Sequence, residues 1–420
     1  MNNKTSFVPM AIIATLFFIF GFVTWLNGSL IPFLKVLCDL NDFEALFVTF
    51  AFYISYTVMA LPMALLLEKT GYKNAMAIGL LVMAIGSLLF IPAALTGEFY
   101  IFLVALFSLG TGLTILQTAS NPYVVLVGPM ESAAMRISIM GLINKSAGVL
   151  APLAFSAYVL SGIGSIEYLS TLEMDTLANK LIKPYIMMAI ILIGLALLIK
   201  FSALPELKFE EDPYDDESIF AFPQVVLGSI ALFFYVGVEV IAGDTIGLYA
   251  QNLGVLNATS LTSYSMAFMV FSYLIGIFLI PKYLSQEKAL IGSAILGIML
   301  LFGVAFSSIQ SSAISEIIWG WSGIATLPNS VAFVALLGLA NALVWPTIWP
   351  LALKDLGKHT AKGSALLIMA IAGGALIPLA YAKLAQWSGN AQVSYLIGVV
   401  SYAFILAYGL KLHKIKSWKR

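Results

Sequence analysis

The sequence predicts an all-α membrane protein with twelve transmembrane helices in two six-helix halves related by a pseudo-twofold axis. Three observations carry that prediction: a scarcity of charge, recurring long uncharged stretches, and an internal repeat at about half the chain length. Of 420 residues, 61% are hydrophobic and 10% charged. A soluble domain carries roughly 25% charged residues, so roughly sixty charges are missing. Too few polar groups remain to face water around a body of this size, and lipid must take the place of water. Strands would show about ten-residue alternation, which is absent, and helices satisfy their own backbone groups in lipid.

The uncharged stretches run 5–34, 45–67, 74–97, 99–130, 146–166, 184–199, 218–238, 245–281, 289–315, 317–353, 363–382 and 384–410. The first is longer than the roughly 7–15 apolar residues of a cleaved signal peptide and reads as the first span. The stretch 245–281 holds two helix segments joined by a turn near Asn257. Helices are expected near 8–34, 44–68, 74–94, 98–127, 134–161, 184–203, 223–250, 260–281, 288–308, 328–353, 361–387 and 392–413. With the N-terminus inside, 16 of the 21 basic residues fall in inner segments, three (Lys35, Lys180, Lys183) in outer loops and two (Lys145, Lys383) inside spans. That asymmetry predicts cytoplasmic termini. The charged run 204–222 reads as a cytoplasmic linker, either a solvated connector or a regulatory or docking segment, between an N-terminal half, 1–203, and a C-terminal half, 223–420.

Composition also excludes. The 21 basic and 21 acidic residues cancel, whereas a nucleic-acid binder would show a basic excess. Cys38 stands alone, and the two histidines, His359 and His413, lie in charged segments. No disulfide, cysteine-based zinc site or Ser-His-Asp set can be built, and no phosphate-binding glycine loop occurs. An enzyme is not expected. Neither is a metal or other cofactor, beyond a co-transported proton or sodium.

The repeat aligns Gly110-Thr-Gly-Leu-Thr-Ile-Leu-Gln-Thr-Ala-Ser-Asn-Pro122 with Gly338-Leu-Ala-Asn-Ala-Leu-Val-Trp-Pro-Thr-Ile-Trp-Pro350, and Ala151-Pro-Leu-Ala-Phe155 with Ile377-Pro-Leu-Ala-Tyr381. Spans four and five thus recur as ten and eleven, and a parallel repeat places a site between the halves. Gln117 then corresponds to Trp345 and Asn121 to Trp349. Residues four apart share a helix face, so Thr114, Gln117 and Asn121 would face Asn341, Trp345 and Trp349 across the axis. Amides bond hydroxyls and indole faces stack on the apolar face of a pyranose, which suits a sugar. The competing reading is plain helix bridging and packing.

Ionisable groups deep in a span are costly and mark function. Lys145 lies in span five on a face with Gly141, Asn144 and Gly148. Glu239 lies in span seven, one turn after Tyr235. Asp244 follows within Gly243-Asp-Thr-Ile-Gly247, whose glycines suggest a broken or bent helix. Five residues set Glu239 and Asp244 about 140° apart on a straight helix, so Glu239 is the first choice for the cavity, and Asp244 can instead reach the outer interface. Lys145 reads either as a coupling or substrate group or as a structural ion-pair partner of a carboxylate such as Glu239. In span one, Thr24, Asn27 and Gly28 share a face, and Gly28 with Pro32 would weaken the outer half of the helix.

Between spans two and three, Ala64-Leu-Leu-Leu-Glu68-Lys69-Thr-Gly71-Tyr-Lys73 resembles the major facilitator loop signature, with Ala64 in place of its first glycine. Such a charged turn can latch neighbouring helix ends and hold one access state, which makes Glu68, Lys69, Gly71, Lys73 and Arg136 gating candidates. The motifs Trp25-Leu-Asn-Gly-Ser-Leu-Ile-Pro32, Gln117-Thr-Ala-Ser-Asn-Pro-Tyr-Val124, Gly128-Pro-Met-Glu-Ser132, Arg136, Tyr235-Val-Gly-Val-Glu239, Trp345-Pro-Thr-Ile-Trp349 and Gly357-Lys-His-Thr360 are similar to the fucose–galactose–glucose transporter family, over essentially the whole chain. The resemblance implies an inner-membrane sugar symporter working by alternating access. The chain departs from the L-fucose–proton symporter branch, which carries an aspartate at Gly28, a glutamate at Gln117 and a serine at Lys145. Proton handling copied from that branch is therefore not expected, and the glucose/galactose and N-acetylglucosamine branches stand closer.

The expected function is import of a hexose or amino-hexose, coupled to a proton or sodium. Asn27, Gln117, Asn121, Asn144, Asn341 and Glu239 are the candidate hydroxyl partners, with Trp345, Trp349 or Trp25 as the stacking surface. Lys145, Glu239 and Asp244 are the candidate coupling groups. Two alternatives stay open: a uniporter in which Lys145 replaces the coupling cation, and an efflux carrier of small amphipathic molecules. The expected partners are a small sugar and the lipid bilayer, with no nucleic acid and a monomeric carrier.

Overall fold

A computed structural model describes residues 7–126, 133–159, 174–202, 204, 218–280, 283–356 and 359–418. The charge run at 205–217, the Gly128–Ser132 motif and parts of the Gly357–Thr360 motif lie outside the described residues. Among the described residues, twelve helical segments are long and apolar enough to cross a membrane. Spans one to six are Val8–Leu37, Asp42–Met63, Leu65–Thr96, Phe99–Asn121, Arg136–Val159 and Asn179–Phe201. Spans seven to twelve are Pro223–Asn252, Ala258–Leu279, Gln286–Phe306, Asn329–Leu353, Lys362–Ser388 and Ala391–Leu410. The chain is a multi-pass membrane protein.

Local chemistry sets the helix ends. Spans two and three form one run, Phe47–Thr96, turned at Gly71, whose φ of 77° favours a residue without a Cβ. The short helix Asp42–Ala45 opens with a capping box, in which Asn41 accepts from the Glu44 amide and Glu44 reaches back to the Asn41 amide. Ser285 caps span nine through the Lys288 amide.

Spans one, ten and seven, which shape the site, differ from their expected form. Span one breaks at Leu26, into Phe7–Trp25 and Asn27–Leu37, six residues before Pro32. Span ten is interrupted at 342–343, between Asn329–Asn341 and Val344–Leu353. Span seven, by contrast, is a continuous helix, Pro223–Asn252, and does not break at Gly243 or Gly247. Those glycines serve close packing instead. A Cβ on Gly243 would lie 2.4 Å from the Trp25 ring, and one on Gly247 would lie 2.7 Å from the Ala258 carbonyl oxygen.

Spans one to six and seven to twelve meet along the middle of the bundle. At the end away from the chain termini, the distal end, the two sets are tied together. Ser29 donates to the Thr259 carbonyl. Ser156 and Thr259 share a bond of 2.6 Å, Ser263 donates to the Val149 carbonyl at 2.7 Å, and Asn252 bridges Lys35 and Asp42. Gly28 lets span one touch spans seven and eight, since a Cβ there would stand 2.1 Å from Thr262 Oγ1. Toward the proximal end, Thr57 donates to the Met369 carbonyl across the two sets, 3.1 Å.

Candidate functional site

Below the distal seal, midway along the spans, lies a cavity of about 110 Å³, the space of several waters. One wall comes from spans four and five: Gln117, Asn121, Gly141, Asn144 and Lys145. The opposite wall comes from Tyr235 and Glu239 of span seven, Tyr273 of span eight and Trp345 of span ten. Spans one and two add Thr24, Trp25, Tyr53 and Tyr56.

The two walls are joined by an ion pair. Lys145 Nζ lies 2.7 Å from Glu239 Oε1, and both side chains are nearly buried. Tyr235 OH donates to the same Oε1 at 2.7 Å, which leaves Oε2 on the cavity side without a bond from a described residue. The Lys145 ammonium sits 4.3 Å from the centre of the Trp25 ring, a cation–π contact. Trp25 fits there because two glycines flank it: a Cβ on Gly148 would meet the ring at 2.5 Å, as one on Gly243 would at 2.4 Å. On the glycine face around Lys145, Gly148 is therefore part of the socket of an indole, while Gly141 faces the Tyr273 ring.

The amides are held in place. Gln117 Nε2 donates to Tyr56 OH at 2.9 Å, and Asn144 Nδ2 donates to the Phe17 carbonyl at 3.2 Å. Both keep their side-chain carbonyl oxygens free of described donors. Trp345 stands 6.3 Å from the Tyr235 ring and 5.6 Å from the Trp349 ring.

The cavity thus brings together Gln117, Asn121, Asn144, Lys145, Glu239 and Trp345, with Trp25 beside them. Four other candidates do not line it. Asn341 is buried and its Oδ1 accepts from Tyr402 OH at 2.6 Å. Trp349 is buried behind Trp345. Asn27 is buried in the distal segment of span one. Asp244 lies above the cavity inside the distal seal, where Thr49 donates to its Oδ2 at 3.3 Å. Tyr53, Tyr56 and Tyr273 were not singled out by the sequence. Tyr53 and Tyr56 sit three apart in span two, a spacing that marks one face; Tyr273 carries no comparable signal.

The turn residues lie apart from the cavity. Glu68 and Lys69 are exposed at the bend made by Gly71. Lys73 donates to the Ser202 carbonyl at 2.6 Å, and Arg136 is buried and donates to the Val124 carbonyl at 2.8 Å. These bonds join neighbouring spans within the N-terminal set. No cluster of metal-ligating side chains occurs among the described residues.

A sequence model of the Major Facilitator Superfamily matches residues 13–367. The chain is 33% identical over 416 residues to the glucose/galactose transporter of Brucella abortus biovar 1 (strain 9-941), covering 97% of this chain and 95% of that protein. It is 26% identical over 428 residues to the L-fucose-proton symporter of Escherichia coli (strain K12), covering 97% and 93%. Among solved structures it is similar to a Major Facilitator Superfamily transporter in the outward conformation, with TM-score 0.74 and 25% identity over 97% of this chain and 99% of that one.

Proposed function

The chain belongs to the Major Facilitator Superfamily, and from that premise we propose that it imports a hexose or amino-hexose across the inner membrane by proton-coupled alternating access. It is a transporter and not an enzyme. The observation that carries the proposal is the cavity's two-sided chemistry. Amides stand on one side, and indole and phenol rings with a carboxylate oxygen among them on the other, which is what a ring with polar edges and apolar faces requires. The names of the relatives point the same way and favour neither the uniport nor the efflux alternative.

In this reading Gln117, Asn121 and Asn144 bond sugar hydroxyls, and Trp345 stacks on the ring. Glu239 offers Oε2 to a hydroxyl while Lys145 and Tyr235 hold Oε1. Opening the distal end pulls span five from span seven and breaks the Lys145–Glu239 pair. Sugar and pair are thereby linked: the substrate that bridges the two walls favours the closed state in which the pair can form. The bias of basic residues supports cytoplasmic termini, so the distal end is the outer one. The bundle then divides as halves 1–203 and 223–420 about the 204–222 linker, and a monomer suffices, since the site is built within one chain.

Binding tests the reading. A panel of hexoses, amino-hexoses and apolar amines is added to the purified protein in detergent and its melting temperature is followed. A hexose or amino-hexose should raise it, and Gln117→Ala with Trp345→Ala should remove the rise. A response to the amines and to no sugar would contradict the proposal.

A further inference from the structure

Asp244 is fully buried, and nothing in the cavity uses it. It stands eight residues before the end of the span-seven helix, about 12 Å from that end at 1.5 Å per residue. That depth is inside the distal seal, at the contact between the two halves. One carboxylate oxygen accepts a long bond from Thr49 Oγ1 across the contact, 3.3 Å. The other, Oδ1, has no hydrogen-bond partner among the described residues.

No cation among the described residues is paired with it. Lys145 is committed to Glu239 at 2.7 Å and capped by Trp25. The titratable groups that face Asp244 are Glu239 on its own helix, Lys145 of span five and the Tyr53 hydroxyl of span two. Tyr53 OH is itself buried without a partner among the described residues. Spans one and eight meet the neighbouring Gly243 with Gly28 and Thr262, neither ionisable. Span twelve brings Tyr395, whose hydroxyl is bonded to Thr245. An ionised carboxylate in that setting would be buried with one long hydroxyl bond against it, a cost far above what the bond returns. The neutral acid avoids that cost and can donate to Thr49.

We propose that Asp244 is the proton site of the outer gate: the distal seal closes only over the protonated acid. While the outer end is open, water reaches the carboxylate, and hydronium transfers a proton to it, leaving the carboxylic acid and water. The neutral side chain can then be enclosed between spans two and seven. An ionised Asp244 keeps water, and so keeps the gate open. This deepens the reading of the chain as a proton-coupled sugar carrier by separating two tasks. Glu239 and Lys145 meet the sugar, and Asp244 reports the outer proton.

The test reads the gate without sugar. Spin labels are placed at Thr96→Cys and Gln310→Cys, exposed outer-loop positions of the two halves, in a Cys38→Ser background, and the inter-label distance is followed with pH. In the otherwise native protein the long-distance, outer-open population should grow as pH rises. In Asp244→Asn, an isostere of the neutral acid, the short distance should persist at every pH, and the concentration ratio reached by proton-driven hexose uptake should fall to unity. Asp244→Ser provides a second neutral side chain if the asparagine does not fold. A native distance that ignores pH overturns the proposal, and so does an asparagine or serine variant that keeps the native pH response. Absence of sugar transport by the native protein would defeat the carrier reading and leave the distance titration to judge Asp244 alone.

Discussion

Lys145 of span five and Glu239 of span seven meet at 2.7 Å across the two halves, beneath the Trp25 ring. The pair is nearly buried, so its members depend on each other more than the fold depends on the pair. Removing one partner leaves a buried uncompensated charge, which costs about 3–5 kcal/mol. Lys145→Ala and Glu239→Gln should each lower the melting temperature and abolish concentrative uptake. Lys145→Met with Glu239→Leu should regain most of the stability and none of the uptake. A double-mutant cycle on thermal unfolding measures the coupling.

Gly28→Ala should hold the outer gate ajar. The added methyl would stand 2.1 Å from Thr262 Oγ1 and 2.9 Å from the Gly243 carbonyl oxygen, and the second of these is backbone that a rotamer change cannot clear. Outer-loop label distances should lengthen and uptake should fall, while sugar binding from the outer side is retained.

Gly243→Ala should act on the indole instead. Its methyl would strike Trp25 at 2.4 Å and lift the ring from the Lys145 ammonium. Overpacking of this kind costs about 1–3 kcal/mol. Melting temperature and tryptophan fluorescence should both move, with Trp25→Phe as the fluorescence control.

The amides divide by geometry. Gln117→Ala or Asn121→Ala should weaken sugar binding by about 1 kcal/mol per lost hydrogen bond, roughly five- to tenfold in Kd. Asn341→Ala should leave Kd nearly unchanged and lower stability, because Tyr402 OH loses its acceptor. Calorimetric titration in detergent separates the two outcomes.

At the proximal end, Lys416 holds Asp355 through its Oδ2, and that contact keeps the Asp355 carboxyl below its ordinary value. A depressed carboxylate contributes above its unfolded pKa and loses its contribution as pH falls through the folded one. The tail should therefore stay docked at neutral pH and free itself only in acid. Hydrogen exchange over residues 411–418 measures this, and Asp355→Asn should exchange quickly at neutral pH as well.

The spans and the repeat were legible because apolar runs and Gly–Pro spacing are properties of the chain alone. The ionisable outliers Lys145, Glu239 and Asp244 were legible for the same reason: charge in lipid needs an explanation wherever it points. What the sequence hid was mutual approach. The glycines at 243 and 247 read as a helix break, yet the helix runs through and the missing Cβ atoms admit Trp25 and the Ala258 carbonyl. Asn341 shared a face with Trp345 on a straight helix, but span ten is interrupted between them at 342–343. Asn341 turns to Tyr402 while Trp345 keeps the cavity. Tyr273 reaches the site only through packing between spans five and eight, which no local spacing encodes.

The most direct measurement is accumulation of labelled glucose, galactose and N-acetylglucosamine in proteoliposomes under an inward proton gradient. The native protein should concentrate at least one of these hexoses above the external level, an ionophore should collapse the accumulation, and Glu239→Gln should show none. A protein that neither concentrates nor exchanges any hexose under that gradient, or a Glu239→Gln variant that accumulates sugar as the native protein does, would contradict the account.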